Sequence, residues 1–573
     1  MPLVIRRSES ASFGAREMSS RDSRTEAVVS SALWAAAGDA LGWITELGDE
    51  DTIRYRTGKN YVSAPMDWRR RIGGRFGPTL HLPSGTYSDD TQLRLAVSRA
   101  IRGNGDFDAE AFAKVELPVW SSYSLGAGRG TTAAASNLTK GTVSWFSNFF
   151  GNRGERGYLE AGGNGAAMRI QPHVWKCDLD VSSSFVRDVL RDSIITHGNP
   201  KGFCGALFHA FCVAHAITSR EIPGPDEWVD FASQLKCIPE AVSSDEQLSL
   251  FWLGPWEEGY GAPLRTAILE EIDFVTRIAK SLRGESSLRE RKYALVLDMV
   301  GGLDEQTRGA GLNTALAAVA LAHLSRDKSN EEGLLLAANT PGSDTDTIAT
   351  MAGAILGAAH PMPVNWPVQD REYITAEAIR LSEIALGKKE SSFQYPDLIS
   401  WSPPTTQSDA VGLFENQMWL AGLGRAEPFG EVFATSDAKW QWLRLEFGQT
   451  VLAKQRPKLR RLTSKDIPAR NGGTSMTYQR DAQAPLFRDE DTSRVVRREN
   501  DLTAPGKVLP GREDALEGLD VLTDRIIGRG FVPEDIGQAL IELAQGKFAI
   551  ERSTAFSAII AKALEARRKR KRK

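Results

Sequence analysis

Cysteine is scarce in this chain, with four in 573 residues: Cys177, Cys204, Cys212 and Cys237. No CxxC pair occurs, so neither a thiolate zinc site nor a thioredoxin-type redox motif is spelled out. Cys204 and Cys212 lie in an apolar helical stretch and read as core residues. A disulfide-stapled scaffold is excluded, and reduced thiols in a cytoplasmic protein are expected. Long apolar runs are also missing. Residues 311–324 are too short to span a bilayer, and residues 348–359 carry two glycines, so no membrane association is expected. The first 24 residues are rich in Ser and Arg but lack the apolar segment of a signal peptide. Glu9, Glu17, Asp22 and Glu26 argue against a transit peptide. Internal repeats and closely spaced strands are absent, so an all-α orthogonal multi-helix bundle is expected.

The chain does have a globular composition, 41% hydrophobic and 25% charged. Its formal net charge of −3 hides an asymmetry. Residues 451–573 hold 26 Lys+Arg and 17 Asp+Glu, a net of +9, which leaves −12 on the first 450. An acidic body with a basic tail points to two jobs, or to one job with a tether. Residues 1–24 read as a flexible arm. From residue 25 to 387 the period is helical, with Ala-rich segments punctuated by Gly. Residues 235–262, with Pro239, Trp252, Pro255 and Trp256, read as a loop or insertion. Residues 388–462 read as a linker leading into an aromatic-rich subdomain or arm. Residues 463–510 read as a disordered linker, and residues 511–573 as a small helical module with a basic tail.

Two acidic clusters dominate the remainder: Ser88-Asp89-Asp90-Thr91 and Asp344-Thr345-Asp346-Thr347. Leu93, Ala96, Val97, Ala100 and Ile101 follow the first; Ile348, Met351, Ile355 and Leu356 follow the second. Both spacings are those of amphipathic helices, so each cluster stands at a helix start. Carboxylates there can simply cap the helix. Four of them brought together would repel unless cations lay between them, and such hard oxygen donors suit Mg²⁺ or Mn²⁺.

Three further elements sharpen this. Gly38-Asp39-Ala40-Leu41-Gly42 ends an apolar helix, with Glu46 four residues on. Gly163-Asn164-Gly165-Ala166-Ala167-Met168-Arg169 follows a glycine-rich turn, and Thr196-His197 precedes another helix. Together, and in this order, the five elements resemble the ADP-ribosylglycohydrolase family over roughly residues 25–385. That resemblance implies a helical catalytic domain of the ADP-ribosylglycohydrolase type. It implies a centre of two Mg²⁺ (or Mn²⁺) ions held by Ser88, Asp89, Asp90, Asp344, Asp346 and Thr347. It implies hydrolysis of the glycosidic bond at ribose C1″ of an ADP-ribosylated protein or other acceptor. Glu46 is the first candidate for acid–base work, with Asp89 or Asp90 as runner-up. Gly163, Asn164, Gly165 and His197 are candidates for substrate binding, although His197 reads equally well as a core or capping residue. Arg129, in a Gly-Arg-Gly-Thr turn, reads as a phosphate-binding or structural residue, with structure favoured. Hydrolysis of ADP-ribosylated nucleic acid or metabolites, or a silent binding role, are the alternatives. The final run, Arg567 to Lys573, reads first as a solvated tail, and otherwise as a nuclear localisation signal or a handle by which the C-terminal module takes nucleic acid or a protein partner.

Overall fold

The computed structural model describes residues 9–72, 77–151, 157–179, 185–282, 289–435, 438–468, 519–545 and 549–571. The chain falls into two units, Met1–Tyr478 and Gln479–Lys573.

The first unit is mainly helical and is organised around the helix Thr345–Ala359, every residue of which is buried. Its sequence has no polar face, as burial on all sides requires. The first helix, Glu9–Gly42, lies against it and takes in residues 9–24, the segment whose composition reads as an arm. The two backbones touch. A side-chain carbon at Gly353 would stand 2.4 Å from the Trp34 carbonyl oxygen, and one at Gly357 2.6 Å from that of Ser30. Backbone cannot yield there, so only a residue without a side chain fits. Pro200–Ser219 and Gly311–Leu324 pack beside the central helix and complete the core. Pro200–Ser219 is long and apolar enough to cross a membrane by length and composition. This corrects the reading that no run suffices: Lys201, His209 and His215 interrupt the run by eye, while the helix as a whole stays apolar. Most of it is buried within this fold.

Residues 235–262 are helical, which corrects their reading as a loop. They form Leu235–Cys237, Ile238–Ser244, Leu248–Trp252 and Leu253–Tyr260. Pro239 stands in the first turn of its helix, where its missing N–H has no partner to lose.

The expectation of an all-α protein is corrected as well. A small hairpin pairs β1 (Trp68–Arg71) with β2 (Thr79–Leu82). A six-stranded sheet follows the helices: β3 (Val411–Phe414), β4 (Gln417–Leu420), β5 (Gly424–Ala434), β6 (Lys439–Leu445), β7 (Thr450–Gln455) and β8 (Arg460–Arg461). Its order is β7-β6-β5-β4-β3-β8, antiparallel throughout except for the β3–β8 pair. The sheet shares one continuous hydrophobic core with the helices. Buried polar groups lock the two together. The Arg99 guanidinium is fully buried, pairs with Glu116 at 2.8 Å and donates to Gln449 Oε1 at 2.6 Å. Tyr395 OH donates to Glu116 Oε1 at 2.7 Å, and Trp401 Nε1 to the Lys114 carbonyl at 2.8 Å. The aromatic-rich segment is thus part of the body.

The second unit contains the helices Leu519–Gly528, Pro533–Ala544 and Ala549–Lys571, as the helical periodicity of residues 511–573 anticipates. Leu522, Ile526, Ala539, Leu543, Phe556 and Ile560 form its own core. The linker expected at 463–510 lies outside the described residues beyond Pro468. With a separate core in each unit, a chain ending at Tyr478 should keep the body's melting temperature within about 2 °C. A cut at Leu462 should lower it, because the buried Ile467 and the bond from Gly422 N–H to the Asp466 carbonyl (2.8 Å) would go. Thermal denaturation of the two truncations checks this, and equal melting temperatures would contradict it.

Candidate metal centre

Both acidic clusters begin buried helices, and the first is set by a residue that the sequence reading passed over. Asp39, near the end of the first helix, accepts hydrogen bonds from Ser88 N–H (2.9 Å), Thr91 N–H (2.9 Å) and Thr91 Oγ1 (2.6 Å). This pins the start of the helix Asp89–Ala100. Arg94, also buried, donates to Thr91 Oγ1 (2.6 Å) and to Thr350 Oγ1 (2.9 Å) on the central helix. Ser88 takes the N-cap position, and its hydroxyl accepts from Asp90 N–H at 3.3 Å and donates to Asp90 Oδ2 at 3.2 Å. Asp90 Oδ1 is buried with no hydrogen-bond partner. A buried carboxylate oxygen left in this way is costly unless something else satisfies it.

In the second cluster, Asp344 is the N-cap residue of the central helix, but its side chain does not cap. Its Oδ2 accepts from Asn164 Nδ2 at 2.7 Å. Asp346 Oδ1 accepts from Thr347 N–H at 2.9 Å. Carboxyl oxygens of Glu46, Asp344 and Asp346 lie within 4.8 Å of one another. Glu46 Oε2 also accepts from Arg70 Nη2 at 2.7 Å. Gly42 lets this corner close: a side-chain carbon there would stand 2.4 Å from the Thr345 carbonyl and 2.5 Å from Asp346 Cα.

The two clusters feel each other's charge. Burial pushes Asp89, Asp90 and Asp346 well above the ordinary carboxylate range. Repulsion adds to this: Glu46, Asp39 and Asp344 act on Asp89; Asp39, Asp89 and Asp344 on Asp90; Glu46, Asp344 and Asp90 on Asp346. Asp344 is raised by burial too. An all-oxygen donor set, an orphaned buried carboxylate oxygen and buried carboxyls that repel one another fit a hard divalent cation. Asp89, Asp90, Asp344, Asp346 and Glu46 could hold it, with Ser88 and Thr347 buried alongside.

These shifts fix the sign of a pH effect. A carboxyl whose pKa is raised on folding keeps its proton where the unfolded chain has lost it. The folded state then binds more protons, and stability falls as pH rises above the ordinary value of 3.8. Carboxyls lowered by folding, such as Asp188 and Asp192, act below that value, outside the window. Folding lowers His197 and His209 to about 3 and His323 to about 4, which opposes this between pH 5 and the ordinary value of 6.5 with or without metal. The gain in melting temperature on adding saturating Mg²⁺ should therefore be larger at about pH 8 than at about pH 5, because the ion competes with protons on the raised carboxyls. Melting curves at both pH values with chelator and with Mg²⁺ check this. A gain from Mg²⁺ that is equal at both pH values, or larger at the lower one, would contradict it.

The glycine-rich turn stands beside the second cluster. Asn164 N–H donates to the Gly309 carbonyl at 2.9 Å, and its side chain holds Asp344, so Asn164 positions a candidate ligand. Arg169, fully buried, donates to the Gly165 carbonyl (2.8 Å) and to Thr196 Oγ1 (2.8 Å) and pairs with Asp192 at 2.8 Å. It thereby ties the Gly163–Gly165 turn to the Thr-His pair. His197 Nδ1 hydrogen-bonds Thr196 Oγ1 at 2.7 Å. Burial, with the nearby Arg169 charge, lowers His197 to about 3, so the ring is neutral. A side-chain carbon at Gly163 or Gly130 would stand 3.6 or 3.8 Å from His197 Nε2, so this nitrogen faces the glycine turn. Arg129 is exposed at the start of the helix Arg129–Leu138. Asp39, Arg94, Arg70 and Arg169 are the residues missed from the sequence. Asp39 and Arg169 stood inside quoted motifs, but their partners lie far along the chain.

The ADP-ribosylglycohydrolase family pattern matches residues 20–390. An uncharacterized protein of Escherichia coli K12, YegU, is 23% identical over 59% of this chain and 88% of its own length. The ADP-ribosylhydrolase ARH3 of Xenopus tropicalis is 22% identical over 51% of this chain and 79% of its own. Among solved structures, a chain of an ADP-ribosylglycohydrolase-related protein complex aligns at 18% identity with a TM-score of 0.40, covering 63% of this chain and 99% of that one. The family pattern covers well over half of the chain and contains both acidic clusters, Glu46, the glycine-rich turn and His197: this protein belongs to the ADP-ribosylglycohydrolase family.

Proposed function

We propose that this protein is a metal-dependent hydrolase that removes ADP-ribose from a modified acceptor by cleaving the glycosidic bond at ribose C1″, and that it works in the cytoplasm. The carrying observation is the group of Glu46, Asp344 and Asp346, whose carboxyl oxygens gather within 4.8 Å beside a second pair of buried aspartates. The family's substrates are ADP-ribosylated acceptors. Bound at this group, Mg²⁺ or Mn²⁺, as two ions, would hold ribose hydroxyls and lower the pKa of a water.

The chain's own residues supply the rest. Glu46 stands at the edge of the centre with one oxygen held by Arg70, and its carboxyl takes the acid–base role. Asp89 and Asp90 are second in line for that proton. Asn164 keeps Asp344 turned into the site. Neutral His197 offers Nε2 toward the turn Gly163–Gly165, where the diphosphate side of the substrate is placed. Arg169 holds that turn and His197 in register.

The test is a panel of ADP-ribosylated acceptors, modified on arginine, on serine and on nucleic acid, incubated with Mg²⁺, Mn²⁺ or a chelator. Free ADP-ribose should appear from at least one acceptor and stop with the chelator. No release from any acceptor, or release indifferent to the chelator, would contradict the proposal.

A further inference from the structure

We propose that a cavity beside Glu46, walled in part by the C-terminal sheet, is an acceptor-side subsite for the phosphate backbone of a nucleic acid carrying the ADP-ribose. This deepens the hydrolase reading above and rests on it. The cavity holds about 440 Å³. Glu46 and Arg70 line it from the helical body, and Lys454 and Trp440 from β7 and β6, beyond the residues that the family pattern matches. The loop 121–127 forms another wall, and its Leu125 carbonyl accepts from Asp89 N–H at 2.7 Å. The cavity therefore abuts the carboxylates on the Glu46 side. The glycine turn and His197 do not line it. ADP-ribose lying toward that turn would leave this cavity for the group on the other side of the bond to be cut.

Its charge says what that group is. Arg70, Arg71 and Lys454 line the cavity; Arg70 is held by Glu46 and Arg71 is engaged elsewhere, which leaves Lys454. Two of the cations are pinned on aromatic faces. The Arg70 guanidinium lies 5.0 Å from the Trp43 ring centre, and Lys454 Nζ lies 5.5 Å from that of Trp440, its cross-strand partner. Such cations are already oriented and lose little freedom on binding an anion. Among the described residues no ion pair joins Lys454 to a carboxylate; its Nζ donates to Gln407 Oε1 at 3.5 Å. A cationic or neutral acceptor has no use for this lining next to an acidic centre, whereas a phosphate does. The run of seven basic residues from Arg567 to Lys573 is a second feature of the same sign elsewhere in the chain. Each by itself suits a polyanion, and this favours nucleic acid over a peptide. In the reaction, water breaks the bond between C1″ and the acceptor heteroatom. Its hydroxyl stays on the ribose and its proton ends on the acceptor.

The test uses full-length wild type, Lys454→Ala and Lys454→Arg. The substrates are an ADP-ribosylated single-stranded oligonucleotide and an ADP-ribosylated peptide with acidic flanks. Lys454→Ala should raise KM for the oligonucleotide about tenfold more than for the peptide and reduce the salt dependence by about one counterion. Lys454→Arg should restore both. A larger effect on the peptide would replace the nucleic acid with an acidic protein, and no effect on either would remove the subsite. Binding of an unmodified pentanucleotide separates the two layers of argument. Lys454→Ala should weaken it about fivefold or more, whereas a pentanucleotide held only by the basic tail would be indifferent. Unchanged binding overturns the subsite. Weakened binding in a protein that hydrolyses nothing faults the hydrolase reading and leaves the subsite standing.

Discussion

Asp346→Asn is expected to reduce turnover to below about one thousandth of wild type, because several kcal/mol of transition-state stabilisation depend on the charge held there. Asparagine keeps the size and one oxygen but not the charge. Mg²⁺ binding, followed by calorimetry, should weaken strongly. In chelator the same variant should melt slightly higher than wild type. Burial, and then the charges of Glu46, Asp344 and Asp90, make the Asp346 carboxylate unfavourable, and the amide escapes that cost. The opposite signs make the result specific: a merely structural aspartate would lose stability with its charge. An Asp346→Asn enzyme that turns over normally would contradict the account.

Glu46→Gln should slow hydrolysis by roughly 10²–10⁴-fold at saturating Mg²⁺, the usual scale of acid–base help. Glu46 also stands among the candidate ligands, so Mg²⁺ is raised until it saturates the variant; the defect that then remains is the lost proton-transferring group. ADP-ribose affinity, measured by calorimetry, should stay close to that of wild type. The partner contact from Arg70 survives, since the Gln amide oxygen can accept the same bond. Normal turnover would leave Glu46 as an acid at the edge of the site and move the proton transfer to Asp89 or Asp90.

The helical body was legible because its signals are local. Asp89, Asp90, Asp344 and Asp346 each precede an apolar run with helical spacing, and both runs are helices that start at those residues. At Gly353 and Gly357, the two glycines of residues 348–359, the first helix passes backbone to backbone. The sheet was missed for a physical reason. Buried Trp440, Leu443 and Leu445 share β6 with half-buried Trp442, so no clean alternation of period two shows. Val451, Leu452 and Ala453 on β7 are all buried, as in a strand covered on both faces. In the site, residue types were readable but partnerships were not. Asp39 serves as the clamp on Ser88 and Thr91 from 49 and 52 residues away. Arg169 reaches Thr196 across 27 residues, and Asn164 reaches Asp344 across 180. Nothing local to Asn164 distinguishes a side chain that touches substrate from one that holds a candidate ligand.

The central claim is that acidic clusters roughly 250 residues apart in the chain form one metal centre. Anomalous diffraction from crystals of the protein grown with Mn²⁺ tests it directly. The account predicts Mn²⁺ peaks bounded by carboxylate oxygens of both clusters, from Asp89 or Asp90 on one side and Asp344 or Asp346 on the other. No ion at this place, or an ion held by one cluster alone, would contradict it.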